Sequence, residues 1–225
     1  TTDLTGYTCY NVYVTMENAD DFLSAISGDQ NNPTFVTTTT SFHHSVLGGA
    51  TPNGIQSLLF GVYPDLEYDS WVTVGLSAAP NAAAGEAAVS TVQSSDNPWT
   101  TNFDNGTGLP GGDIMIDDAI GGAWYALNGD ANGVAGADLK VLAGQFTTDG
   151  DLEVQLYTQI FINGVGTNTL VVDSILDPTD NTYNYVLPTF NWPASLTEGC
   201  TDDTACNFDA GAGIDDGSCT YPDET

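Results

Sequence analysis

The stretch "LKVLAGQFTTDGDLEVQLYTQIFING", residues 139–164, alternates apolar and polar side chains in two runs separated by Asp149-Gly150. Period two is the spacing of a β-strand with one face covered, and β-branched and aromatic side chains suit such a pleated surface. Asp-Gly supplies the positive φ angles of a tight turn, so the two runs are predicted to be adjacent strands of a hairpin. The same alternation, punctuated by Gly, Pro, Asn and Asp, recurs in "YTCYNVYVTM", "PTFVTTTTSF", "IQSLLFGVY", "DSWVTVGLSA", "DIMIDDAI", "AWYALNG", "NTLVVDSIL" and "TYNYVLPTF". About ten such runs predict an all-β fold, a two-sheet antiparallel sandwich of jelly-roll type. One short helix is expected in "NADDFLSAISG", with Asn18 as cap and Asp20 and Asp21 in the first turn. "SAAPNAAAGEAA" and "SSDNPWTTNFDNGTGLPGGD" lack periodicity and read as surface loops.

The strand pattern ends near "PTFNWPASLTEG", and from Cys200 the composition shifts to Asp, Cys, Gly and Ala. Residues 1–195 are therefore expected to form the sandwich and 196–225 a separate tail. So short and apolar-poor a tail needs cross-links, metal or docking to hold a shape.

Charged residues make up only 14% of the 225, yet the formal net charge is -29, because Lys140 is the only Lys or Arg beside 30 acidic residues. Salt bridges therefore cannot organise the chain. Each carboxylate has to be solvated, hydrogen-bonded to backbone N–H or hydroxyl groups, or bound to a cation from outside. Such a surface repels phosphates and anionic headgroups, which argues against nucleic-acid partners and membrane-surface binding. No apolar run approaches the length of a membrane span, and the chain opens with Thr1-Thr2-Asp3 rather than a basic, apolar leader. Cys9, Cys200, Cys206 and Cys219 are even in number and compatible with two disulfides, in any of three connectivities. Together these features point to a mature, secreted, extracellular protein. The alternative is buried free thiols in a reducing compartment.

"CTDDTACNFDAGAGIDDGSC", residues 200–219, gathers Asp202, Asp203, Asn207, Asp209, Asp215 and Asp216 between cysteines. These hard oxygen donors, with backbone carbonyls, suit the six to eight ligands of calcium, and a cross-linked turn would collect them. The plainer reading is an exposed acidic tail with solvated charges. Zinc fits less well, since the cysteines lack C-x-x-C spacing and no histidine is near.

"GCTDDTACNFDAGAGIDDGSCTYP" is similar to a short Cys- and Asp-rich repeat of large secreted surface proteins of aquatic Bacteroidetes, and parts of the body resemble a β-rich domain of such proteins. The likeness implies cell-surface or extracellular placement and a structural or adhesive role without catalysis. "LNGDANGVAGADLKVL" resembles the calcium loop of dockerin modules, with Asn128, Asp130 and Asn132 at the one-three-five spacing and Asp138 near the end. It departs from that loop at position twelve, which is Leu139, and an ordinary Asn/Asp/Gly turn explains the same letters.

Catalytic constellations are sparse. His43 and His44 are adjacent, so on a strand they point to opposite faces and cannot chelate one ion. Paired acids such as Asp117 with Asp118, or Glu67 with Asp69, are the form a glycoside hydrolase needs, but an acid-rich chain produces them by composition. Trp71, Trp99, Trp124 and Trp192 form a sugar-stacking platform if exposed and coplanar, and ordinary core if buried. Asn105-Gly106-Thr107 fits the N-glycosylation acceptor. The expectation is a secreted structural protein, a subunit of a surface filament, adhesin or matrix that self-associates by strand addition and is stabilised by calcium. A carbohydrate-binding module is the alternative, and a glycoside hydrolase ranks below it.

Overall fold

The computed structural model describes residues 4–172, 197–199, 204–205, 207–208, 212–215 and 218–221. The chain divides into two units, Thr1–Asn191 and Trp192–Thr225, so the expected boundary at 195/196 falls just inside the second. The first unit is all-β. Its strands are β1 (Thr8–Thr15), β2 (Phe22–Gly28), β3 (Thr34–Thr38), β4 (Trp71–Val72), β5 (Ser90–Val92), β6 (Ile114–Ile116), β7 (Gly122–Tyr125), β8 (Lys140–Thr148), β9 (Leu152–Gln155), β10 (Tyr157–Phe161) and β11 (Thr169–Val172). They form antiparallel sheets in the orders β1-β8-β4, β11-β10-β2-β7-β5 and β6-β3-β9. Where two sheets were expected, the described residues of this unit form three. The two three-stranded sheets meet at a seam, because β8 leads into β9 and Phe42, beyond β3, bridges both Thr148 and Gly111.

One core serves all three sheets. Val14, Val72, Val141, Ala143 and Phe146 enter it from the first, Leu23, Ile26, Trp124 and Ile160 from the second, and Val36, Ile114, Ile116, Leu152 and Val154 from the third. On β1 the alternation has a direct result. Tyr10, Val12 and Val14 pack inward, while Asn11, Tyr13 and Thr15 are exposed on the other face. A bulge between Val12 and Tyr13 shifts the β1–β8 register. Ile55, Leu66 and Trp71, with Phe60 and Leu142, make a smaller apolar cluster.

Four local expectations fail. Asp149-Gly150 does not close a hairpin, since β9 pairs with β3 and β8 with β1. Gly150 lacks the positive φ of such a turn; it is needed because a Cβ there would come within 2.6–2.8 Å of the hydroxyls of Thr38, Thr39 and Thr40. The chain turns around that threonine loop to change sheets. "FLSAISG" is strand β2 rather than helix: Asn18 and Asp21 close a turn on themselves, and the seven residues that follow pair with β10 and β7. "IQSLLFGVY" forms short 3-10 turns that leave Leu58 92% exposed. The residues 99–103, read as loop, form helix α1 (Trp99–Phe103), which plants Trp99 and Phe103 in the core one turn apart.

The second unit contains β12 (Thr197–Gly199) and β13 (Ala212–Asp215), paired in parallel. Among the described residues no helix is long and apolar enough to cross a membrane. The run "TYNYVLPTF" and Trp192 lie outside the described residues.

Candidate functional site

Several carboxylates find their hydrogen-bond donors in turns. Asp29 accepts from Asn31 N and Asn32 N, Asp118 from Ile120 N and Gly121 N, Asp104 from Gly106 N, and Asp130 from Leu127 N, all at 2.7–2.9 Å. Asp21 goes further, accepting from Asn18 N and, across the fold, from Asn163 N. Backbone N–H groups thus stand where basic side chains would in an ordinary domain. The N–H groups of Gly121 and Ile120 hold the Asp118 carboxyl below the usual carboxylate range.

The most deeply buried polar cluster lies beside the end of β8. Asp69 is 0% exposed and accepts from Ser45 N at 2.7 Å and Gly49 N at 3.1 Å. His44 is buried against the Phe103 ring, with Nδ1 3.6 Å from the Asp69 carboxylate and neither ring nitrogen hydrogen-bonded among the described residues. His43 is buried too, and its Nε2 donates to Asp65 O at 3.2 Å. The two histidines are both buried but have separate partners, Tyr7 and Asp65 for His43, Phe103 and Asp69 for His44. Ser70 Oγ completes the cluster, accepting from Thr147 N at 2.9 Å.

These positions separate the paired acids. Asp69 is enclosed whereas Glu67 is exposed, and Asp117 is exposed whereas Asp118 is tied into its turn. Neither pair faces a shared cleft. Trp71, Trp99 and Trp124 are at most 2% exposed, with Trp99 and Trp124 packed at 5.7 Å between ring centroids, so these three make core rather than a sugar platform.

Of the tail residues expected to bind calcium, Asp202, Asp203, Asp209 and Asp216 lie outside the described residues, and Asp215 lies on β13. Asn207 is engaged inside the tail: its Nδ2 donates to Ser218 O at 2.8 Å, and its Oδ1 accepts from Thr220 N at 2.7 Å. In the dockerin-like turn, Asn132 points inward, donating to Val74 O and accepting from Ala87 N, which occupies the amide oxygen a cation would need. Asn128 donates to Gly164 O, Asp130 caps Leu127 N, and Asp138 is exposed. Among the described residues no three His, Cys, Asp or Glu side chains converge on a point that would hold a metal.

Cys219 is disulfide-bonded, and Cys200 and Cys206 lie outside the described residues. Cys9, expected in a disulfide, is a free thiol. It sits on β1 opposite Thr147, with no second cysteine beside it among the described residues. Burial pushes its pKa up, and the Glu67 carboxylate acts in the same direction. Asn105 is exposed, and its amide oxygen accepts from Thr107 N at 3.1 Å.

Residues 5–16 hold β1 and contain no charge, in a chain with 30 acidic residues. Sequence reasoning weighed the acids and passed over this neutral stretch, whose signal is the charge pattern itself. No protein-family description, curated protein or solved structure matches this chain.

Proposed function

We propose that this chain is a secreted extracellular structural protein, a subunit of a surface filament, adhesin or matrix assembled through strand addition and stabilised by calcium. What carries this reading is β1: eight residues long, at the edge of its sheet among the described residues, and without the charged side chains that normally blunt such an edge. The likeness of residues 199–222 to repeats of secreted surface proteins supports the extracellular placement, and the disulfide at Cys219 fits an oxidising compartment. Calcium belongs with the carboxylates of the tail, whose cross-linked turn would gather them.

Electron microscopy of the purified chain, with calcium and with chelator, tests the proposal. Ordered fibres or sheets are expected with calcium, together with a melting temperature that rises on adding the ion and falls on removing it. Isolated particles and an unchanged melting curve under both conditions would overturn it.

A further inference from the structure

β1 is paired by β8 on one side, and no other strand pairs it among the described residues. Hydrogen bonds on β8 reveal which β1 amides face the other way. Thr147, opposite Cys9, donates its N–H to Ser70 Oγ and accepts at its C=O from His43 N, so both groups point away from β1. Cys9 and Thr147 are therefore a non-hydrogen-bonded pair, and Cys9 turns its own N–H and C=O outward. At the far end Met16 N donates to Leu139 O, so Met16 faces β8 and Thr15 faces away. Alternation between these ends makes Cys9, Asn11, Tyr13 and Thr15 the outward set.

We propose that β1 pairs antiparallel with β1 of a second copy, about a twofold axis at Val12. The pairing rests on the assembly proposed above and adds the partner and the register. N–H meets C=O only if outward residues oppose outward residues. With Val12 opposite itself, Asn11 faces Tyr13 and Cys9 faces Thr15, so every outward residue of the strand is matched. Centring on Asn11 would instead bring Thr15 opposite Tyr7, whose N–H is already bonded to Leu4 O in a turn. The parity also keeps faces together: Tyr10, Val12 and Val14 continue the apolar side of one copy into that of the other.

Electrostatics confines a like-charged copy to this strip. Two subunits of formal net charge -29 repel everywhere that carboxylates face each other, and residues 5–16 bring none to the contact. Lys140, the only Lys or Arg, holds its ammonium 4.4 Å above the Tyr13 ring, beside the proposed axis.

The full chain is measured by sedimentation across a concentration series. Asn11→Pro removes an outward N–H while leaving the bonds to β8 intact, and Asn11→Asp adds a carboxylate on each side of the axis with almost no change of shape. Asn11→Pro should weaken self-association on the order of 30-fold, from two lost hydrogen bonds per dimer. Asn11→Asp should weaken it at low salt and recover at about 0.5 M salt, where charges are screened within a few ångströms. Association unchanged in both variants would overturn the β1 pairing while leaving the assembly proposal standing. A wild-type chain that stays monomeric throughout would overturn self-pairing and leave the edge to a foreign strand.

Discussion

Asp69→Ala is the sharpest perturbation the fold allows. The carboxylate is wholly enclosed and receives two backbone N–H groups, from Ser45 at 2.7 Å and Gly49 at 3.1 Å. Truncation leaves both donors without an acceptor, and at about 1–3 kcal/mol each the loss is about 4 kcal/mol, with Ser45 the dearer because it is buried. Asp69→Asn keeps one oxygen for Ser45 but turns an NH2 toward the other donor, so about half that loss is expected. In urea, with a slope near 2 kcal/mol per M, the alanine variant should unfold at a midpoint about 2 M lower. A second substitution checks the geometry. A Cβ added at Gly48 would stand 2.1 Å from Asp69 Oδ2, so Gly48→Ala should be severe in the wild type and far milder beside Asp69→Ala. An alanine variant within about 1 kcal/mol of wild type at unchanged slope would refute the assignment, because no mutation that orphans one buried and one half-buried donor should be that mild.

Two further outcomes follow from the titrating groups. The Cys9 pKa is raised by burial, so the thiol should be alkylated more slowly at pH 8 than a free cysteine thiol and faster once urea unfolds the chain. Its contribution to stability is full below the unfolded thiol pKa and is lost as pH rises through the higher folded value; equal alkylation rates in both states would contradict this. Asp118 has the opposite sign: its lowered pKa means that the turn is supported above the ordinary carboxylate pKa and released as pH falls through the folded value. A carboxyl-carbon titration by NMR should give a midpoint below the reference of about 3.9, with exchange of the Ile120 and Gly121 amides accelerating through the same range. A midpoint at or above the reference would count against the turn.

The strands that could be read from the chain are those whose alternation is local. β1, β3, β8, β9 and β10 fall where period two is cleanest, and their inward residues are the ones the pattern marks. β2 was hidden by its leader: Asn18, Asp20 and Asp21 mimic a helix start, but Asp21 turns back to Asn18 and reaches Asn163, a partner far along the chain. Helix α1 was hidden in a Gly-rich loop, and its one signal is the aromatic pair Trp99 and Phe103 just after Asn97-Pro98. The hairpin at Asp149-Gly150 failed because the dipeptide fits a turn between paired strands and also a close passage past Thr38, Thr39 and Thr40. Enclosure of Asp69 was illegible, since its donors come from Ser45 and Gly49, about twenty residues upstream, and nothing local distinguishes it from exposed Glu67.

An excess of acid over base poses two separate physical problems, and the fold treats them differently. The first is local: a carboxylate needs donors, and turns provide them at Asp21, Asp29, Asp69 and Asp118 without any cation. These four carboxylates therefore do not require a bound metal for their hydrogen bonds. The second is collective, because N–H dipoles satisfy a carboxylate's oxygens yet leave its charge in place, and the sum still acts over about 8 Å at physiological salt. Association would bring whole surfaces together. The long-range term therefore weighs on contacts between copies more than on the fold. It selects a neutral contact strip, which β1 offers, or an added divalent ion, which the calcium proposed for the tail would supply. Raising monovalent salt should then favour association through β1 even without calcium, because screening relieves the repulsion while the strand's hydrogen bonds and apolar contacts remain.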